Sequence, residues 1–234
     1  MTATDPPRAL LLDVFGTVVD WRTSVAREVA AATAAQVDSL AFADRWRSLY
    51  QPAMEQVRSG ARAFTRLDVL HLESLRIVLS EFDVRIPEPS IVALNLAWHR
   101  LDPWPDSVEG IGRLQSKFIV APLSNGNISL LLDMAKNAGL AWDAILGAEP
   151  ARAYKPLPEA YLRTADILGL RPEQCMMVAA HNGDLMAARE CGFRTAFVSR
   201  PREYGPSQTK DVAPESDWTY SVHSIAELAT ALHC

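Results

Sequence analysis

The stretch Ala9-Leu-Leu-Leu-Asp-Val-Phe-Gly-Thr-Val-Val-Asp20 constrains this chain more than any other. An apolar run leads straight into one carboxylate, Asp13, with Gly16 and Thr17 close behind. An unbroken apolar run, rather than an alternating one, is the pattern of a strand buried on both faces of a parallel sheet. Glycine lets the chain turn sharply where such a strand stops. Asp13 is thereby expected at the carboxyl end of a strand, where open α/β sheets assemble their sites. Taken alone, the segment admits two readings: an Asp that caps a turn, or a carboxylate poised as a nucleophile.

Similar short apolar runs recur at Phe118 to Leu123, Met176 to Ala180 and Thr195 to Val198, with a shorter candidate at Ala144 to Leu146. Helical patterns separate them at Ile128 to Ala138, Pro158 to Leu168 and Leu185 to Cys191, and Gly139, Gly169 and Gly192 stand where those helices should end. This alternation predicts an α/β fold with a doubly wound parallel sheet. From about Trp21 to Trp98 the rhythm changes to helical patterns alone: Val25 to Ala35, Leu40 to Val57, Arg66 to Phe82 and Pro89 to Arg100. The expectation is a helical cap domain, residues 21–100, inserted directly after the first strand into a core made of residues 1–20 and 101–234.

Composition narrows the function classes. The 234 residues are 49% hydrophobic and 22% charged, ordinary for a globular chain. A formal net charge of -5 gives no reason to expect nucleic acid or a membrane surface as partner. No apolar stretch is long enough to span a bilayer, and the N-terminal Met1 to Arg8 lacks the basic and apolar regions of a secretory leader. Cys175, Cys191 and Cys234, an odd and sparse set, fit reduced thiols in a cytoplasmic setting. His71, His99, His223 and His233 show no paired ligand spacing, so neither a metal centre of that type nor a cofactor is expected.

The chemistry-bearing residues follow the strands. Asp13 ends the first; Leu123-Ser124-Asn125-Gly126 ends the second; Ala153-Tyr154-Lys155-Pro156 follows the short one; and Ala180-His181-Asn182-Gly183-Asp184 ends the next. In a doubly wound sheet these ends gather in one crevice. The ordered set resembles the haloacid dehalogenase superfamily over nearly the whole core. That superfamily's phosphatases carry a second Asp two residues beyond the nucleophile, where this chain has Phe15. A phenyl ring cannot protonate a leaving alcohol, whereas a halide leaves without a proton. Trp46-Arg47 and Tyr154-Lys155-Pro156 with the later Tyr161 are similar to the type II L-2-haloacid dehalogenases.

The resemblance implies hydrolysis of short 2-haloalkanoic acids to 2-hydroxy acids. Asp13 displaces the halide and forms an ester, water activated by Asp184 cleaves it, and Lys155 keeps Asp13 ionised. Arg47 is expected on the halide side, because a guanidinium is permanently charged and rich in donors, although a solvated arginine on a cap helix is the alternative. Thr17 and Ser124 either hold the nucleophile or the substrate carboxylate, or form turns. Asn125 is a candidate for positioning halide or water, and Phe15, Trp46, Tyr161 and Asn182 join the substrate and halide set. Phe64, Trp98 and Trp104 are further pocket candidates, while Trp21 and Trp142 are assigned to packing.

One departure stands out. The type II pattern has Ser-x-Asn shortly before the last Asp; here the residues are Ala179-Ala180-His181-Asn182, which places His181 at the Asn position. Histidine there can donate to halide or carboxylate, relay a proton, or serve the structure. This variant resembles a branch in which some members accept fluoroacetate. The loop Ser199-Arg-Pro-Arg-Glu-Tyr-Gly-Pro206, also similar to that branch, is expected to close the sheet edge or join a dimer contact, without chemistry of its own. A homodimer is implied only by the resemblance. Two other functions compete: a Mg²⁺-dependent phosphatase using Asp13 and Asp184, and a non-catalytic binding protein on the same fold.

Overall fold

The computed structural model describes residues 6–234; Met1 to Asp5, the start of the N-terminal stretch read above, lie outside it. The chain begins with β1 (Ala9–Leu12) and passes through β2 (Val19–Asp20). A helical segment follows: α1 (Trp21–Ala32), α2 (Ser39–Ser48), α3 (Tyr50–Arg58), α4 (Leu67–Glu81) and α5 (Glu88–Asn95), ending in a 3₁₀ turn over Leu96–His99. The chain returns through β3 (Asp102–Pro103) to α6 (Ser107–Gln115), β4 (Ile119–Ser124), α7 (Ile128–Ala138), β5 (Leu146–Gly147) and α8 (Ala148–Ala151). It continues with α9 (Pro158–Ile167), β6 (Cys175–Ala179), α10 (Asn182–Glu190), β7 (Arg194–Val198), β8 (Tyr220–Val222) and α11 (Ile225–Ala231).

Six parallel strands form one sheet in the order β5-β4-β1-β6-β7-β8. β1 is central, and the chain winds outward from it first through β4 and β5, then through β6 to β8. The winding reverses between β1 and β6, so a crevice opens there, beyond the ends that carry Asp13 and His181. β1 is fully buried because both faces are covered: Leu10 and Leu12 join one core cluster, Ala9 and Leu11 the other. Fully burying one such leucine contributes roughly 1.5–3 kcal/mol, which is why the run tolerates no polar interruption before Asp13.

β2 and β3 pair antiparallel through Val19–Pro103 and Asp20–Asp102, holding the two ends of the helical segment together. Asp20 also caps α1, accepting from the Thr23 N–H at 3.1 Å. The long helix expected from Leu40 to Val57 is instead two. Pro52 has no N–H to offer the Ser48 carbonyl, so the ladder lapses at Leu49 and restarts as α3. Gly139, Gly169 and Gly192 have positive φ at helix ends, and β8 with α11, absent from the sequence reading, completes the sheet edge.

Candidate active site

Asp13 follows β1, and the turn behind it requires Gly16 (φ +85°), which permits Val18 N–H and Val19 N–H to reach the Val14 carbonyl. Lys155, on the loop between α8 and α9, reaches both carboxylates of the site: its Nζ lies 2.8 Å from Asp13 Oδ1 and 2.5 Å from Asp184 Oδ2. The backbone N–H of Lys155 is fixed by Asn125 Oδ1 at 2.8 Å. Tyr161, on α9, donates its hydroxyl to Asp184 Oδ1 at 2.6 Å. Thr17 Oγ1 accepts the Ala180 N–H at 2.9 Å and so directs its own hydrogen to Asp13 Oδ2, 2.7 Å away.

His181 completes the cluster. Its Nδ1 is 3.1 Å from Asp13 Oδ2 and its Nε2 is 2.9 Å from Glu203 Oε2. Glu203 is 1% exposed, and its other oxygen accepts Trp21 Nε1–H at 3.0 Å. Burial alone would raise the Asp13 pKa, but the Lys155 ammonium and the His181 ring outweigh it and hold the carboxyl well below its ordinary range. Burial and the nearby Asp13 charge push Asp184 the other way, above the ordinary value, despite Lys155. Burial would depress His181, yet Glu203 and Asp13 hold its pKa well above 6.5. Two carboxylates thus sit side by side with opposite tendencies: one stays ionised, the other binds a proton more readily.

Across a cavity of about 290 Å³ lies Arg47, on α2. Its guanidinium rests 4.0 Å from the Tyr50 ring centroid, 5.3 Å from Trp21 and 5.7 Å from Phe15. Its Nη1 is buried with no hydrogen-bond partner among the described residues. A caged cation with an idle donor can receive an anion, which a solvated surface arginine would not do in this way. Arg45, two residues earlier, takes the surface role and pairs with Glu81. Phe15 is 2% exposed and meets Trp98 and Tyr50 edge-on, so the position two beyond Asp13 lends no proton. The Lys155 ammonium bridges Asp13 and Asp184, and among the described residues no group of three or more His, Cys, Asp or Glu is placed to hold a metal ion.

A family model described as haloacid dehalogenase-like hydrolase matches residues 7–192. The chain belongs to the haloacid dehalogenase-like hydrolases. It is 29% identical over 236 residues to the (S)-2-haloacid dehalogenase 1 of Pseudomonas sp. strain CBS-3, covering 97% of this chain and 99% of that protein. The crystal structure of the defluorinating L-2-haloacid dehalogenase Rha0230 superposes with a TM-score of 0.95 at 52% identity, over 97% of this chain and 96% of that one. The L-2-haloacid dehalogenase PA0810 gives 0.94 at 43% identity, over 97% and 99%.

Within this dehalogenase-like hydrolase, Asp13, Phe15, Arg47, Asn125, Lys155, Tyr161, His181 and Asp184 line one cavity, with Thr17 against Asp13 from beneath. Three residues expected in the substrate set lie elsewhere. Trp46 is 1% exposed, donates Nε1–H to the His71 carbonyl at 3.0 Å and packs in the helical core. Ser124 is fully buried and its Oγ accepts the Gly126 N–H, the turn-forming role. Asn182 starts α10 but faces away from the cavity. Its amide binds Asp211, the Ala213 carbonyl, the Glu215 N–H and Trp218, which clamps the 211–218 segment to the core. Phe64 stacks on Tyr154, and Trp104 donates to the Gly16 carbonyl; neither lines the cavity.

The 199–206 loop needs the opposite correction: it carries site residues. Arg200 forks onto Asp106 at 2.8 and 2.9 Å and donates to the Thr17 carbonyl. This anchor delivers Glu203 to His181 and Tyr204 to the cavity wall. Tyr50, Gln51, Lys210 and Asp211 also line it and were not anticipated. No periodicity or motif marks a glutamate in a turn-rich loop. The one available signal was an arginine and a glutamate among prolines and glycine so close behind a buried strand.

Proposed function

We propose that this chain hydrolyses short 2-haloalkanoic acids to 2-hydroxy acids through an ester on Asp13, with residues 21–100 acting as the cap over the site. The observation that carries the reading is an ionised Asp13 with Phe15 two residues on and Arg47 caged across the same small cavity, its Nη1 without a partner among the described residues. Asp13 attacks the carbon that bears the halogen, the carbon–halogen bond breaks, and the halide leaves with the bonding pair. Arg47 offers a fixed positive charge to the anion as it forms. No proton is needed, which matches Phe15.

Water then adds to the Asp13 ester carbonyl. Asp184 takes its proton, a role suited by the raised pKa that burial and Asp13 impose. Lys155 and Tyr161 orient Asp184 from its two oxygens. Displacement inverts the carbon centre and cleavage of the ester does not touch it, so an (S)-2-haloacid yields the (R)-2-hydroxy acid. The names of the relatives support that enantiomer. The test is halide release from (S)-2-chloropropionate in EDTA, run in H₂¹⁸O. Turnover with ¹⁸O entering the Asp13 carboxylate is expected. Phosphate release that requires Mg²⁺, without halide release, would overturn the reading.

A further inference from the structure

The two oxygens of Asp13 are not equivalent. A carboxylate oxygen presents two lone-pair sites. Oδ2 has both filled, by Thr17 Oγ1 at 2.7 Å and His181 Nδ1 at 3.1 Å. Oδ1 has one partner, Lys155 Nζ at 2.8 Å, and keeps a lone pair for chemistry. Oδ1 is therefore the attacking atom, and Oδ2 becomes the carbonyl oxygen of the ester. When water adds, the negative charge develops on Oδ2, between the Thr17 hydroxyl and the His181 ring. The ring carries a hydrogen on each nitrogen, because each faces an acceptor-only carboxylate: Asp13 on one side, Glu203 on the other.

From this geometry we infer that protonated His181, held by the buried Glu203, is a catalytic donor to the oxyanion of ester cleavage, and that Glu203 is its positioning residue. The inference rests on the ester route given above. In that step water oxygen bonds to Cγ, one water proton passes to Asp184, and the carbonyl electron pair moves onto Oδ2. Collapse restores the Cγ–Oδ2 double bond and breaks the Cγ–Oδ1 bond. Oδ1 leaves as the alkoxide of the hydroxy acid and takes the proton back from Asp184, while the new Asp13 carboxyl ionises.

The placement explains several features that the displacement step does not. With the Lys155 ammonium already on Oδ1, a second cation beside Asp13 does nothing to sharpen the attack; placed on Oδ2, it meets the charge that builds there when water adds. Glu203, buried and held by Trp21 Nε1–H, fixes the imidazole through its second oxygen. A Cβ at Gly16 would lie 2.1 Å from Glu203 Oε1, so the turn after the nucleophile is shaped around this carboxylate. The other charged or titratable groups lining the cavity with the ring are Asp184, Lys155 and Tyr161 on the core side, Arg47 and Tyr50 on α2 and α3, and Tyr204, Lys210 and Asp211 on the 199–213 loop.

The test separates the two half-reactions. Rapid-quench halide release and intact mass are measured together on wild type, His181→Phe, His181→Gln and Glu203→Gln, with circular dichroism to confirm folding. Wild type is expected to release halide steadily. His181→Phe should keep the first-turnover halide burst but slow steady turnover by about 10²–10³-fold, the usual effect of losing one oxyanion donor, with the substrate-derived ester accumulating on Asp13. His181→Gln, a neutral donor, should fall between. Glu203→Gln offers one acceptor where two donors need one each, and should also accumulate ester. In wild type, ester cleavage should slow as pH rises and the ring loses its proton.

A fall in ester cleavage at high pH that persists unchanged in His181→Phe would assign that ionisation to another group and overturn the inference. Burst and steady rate falling together, with no adduct, would overturn it as well. So would unchanged kinetics. Absence of halide release by wild type would defeat the dehalogenase reading itself, a separate result.

Discussion

His181 and His99 are built alike and used differently. Each ring lies between two carboxylates: His181 between Asp13 and Glu203, His99 between Asp68 at 3.0 Å and Asp133 at 2.8 Å. Burial opposes protonation in both, and the paired carboxylates outweigh it in both, raising each pKa. One of the carboxylates around His181 carries a free lone pair into the cavity. Those around His99 tie α4 to α7, where Asp68 also takes the Asn127 amide at 2.8 Å, and neither lines the cavity of the site. His71 marks the other extreme. It lies under Trp98 at 4.4 Å with neither nitrogen partnered among the described residues, and burial with the nearby Arg47 drops its pKa to about 3. Residue type sets none of these outcomes; the neighbours do.

The sharpest way to break the comparison is to neutralise the equivalent carboxylate in each cluster. Asp13→Asn should abolish halide release, a loss of at least about 10⁴-fold of the kind seen when a nucleophile is removed, measured by chloride assay. Asp68→Asn should leave turnover intact. Arginine offers a second contrast on one helix: Arg47→Ala should lower steady turnover by about 10²–10³-fold through loss of charge at the departing halide.

The effect at Asp68 is on stability. Asp68→Asn should destabilise the fold by about 1–3 kcal/mol, the range for a buried hydrogen bond to a charged group, read by urea unfolding. The sign with pH follows from the raised pKa. The contribution of His99 is fully present below its ordinary value of 6.5 and is lost as pH rises through the raised one. The variant and wild type should therefore converge at alkaline pH. Smallest of all, Arg45→Ala removes an exposed pair with Glu81 and should change neither unfolding midpoint nor turnover.

The strand-end residues were legible because local rules place them. An apolar run, a carboxylate and a glycine define β1 and its turn, and the same logic located Lys155 and Asp184. Arg47 was legible as a candidate, but its cage of Tyr50, Trp21 and Phe15 depends on how the helical segment lies over β1, which no spacing encodes. Trp46 and Asn182 were misplaced for the same reason. Each sits beside a site residue in sequence, and a helix turns neighbours about 100° apart, so one faces the cavity while the next faces a core or the 211–218 segment. The split at Leu49 was readable from Pro52. Glu203 was not readable, since its meaning lies entirely in what it touches across 182 residues of chain.

That reach has a consequence for how this sequence can vary. The hydrogen on Gly16 is the space Glu203 occupies, and any larger side chain there would collide with the carboxylate. A methyl group at position 16 therefore acts at a distance, displacing the Glu203 carboxylate and stripping His181 of its partner, while a shorter residue at 203 would leave Trp21 and the imidazole unanswered. The nucleophile turn and a loop near the other end of the chain are thus built against each other.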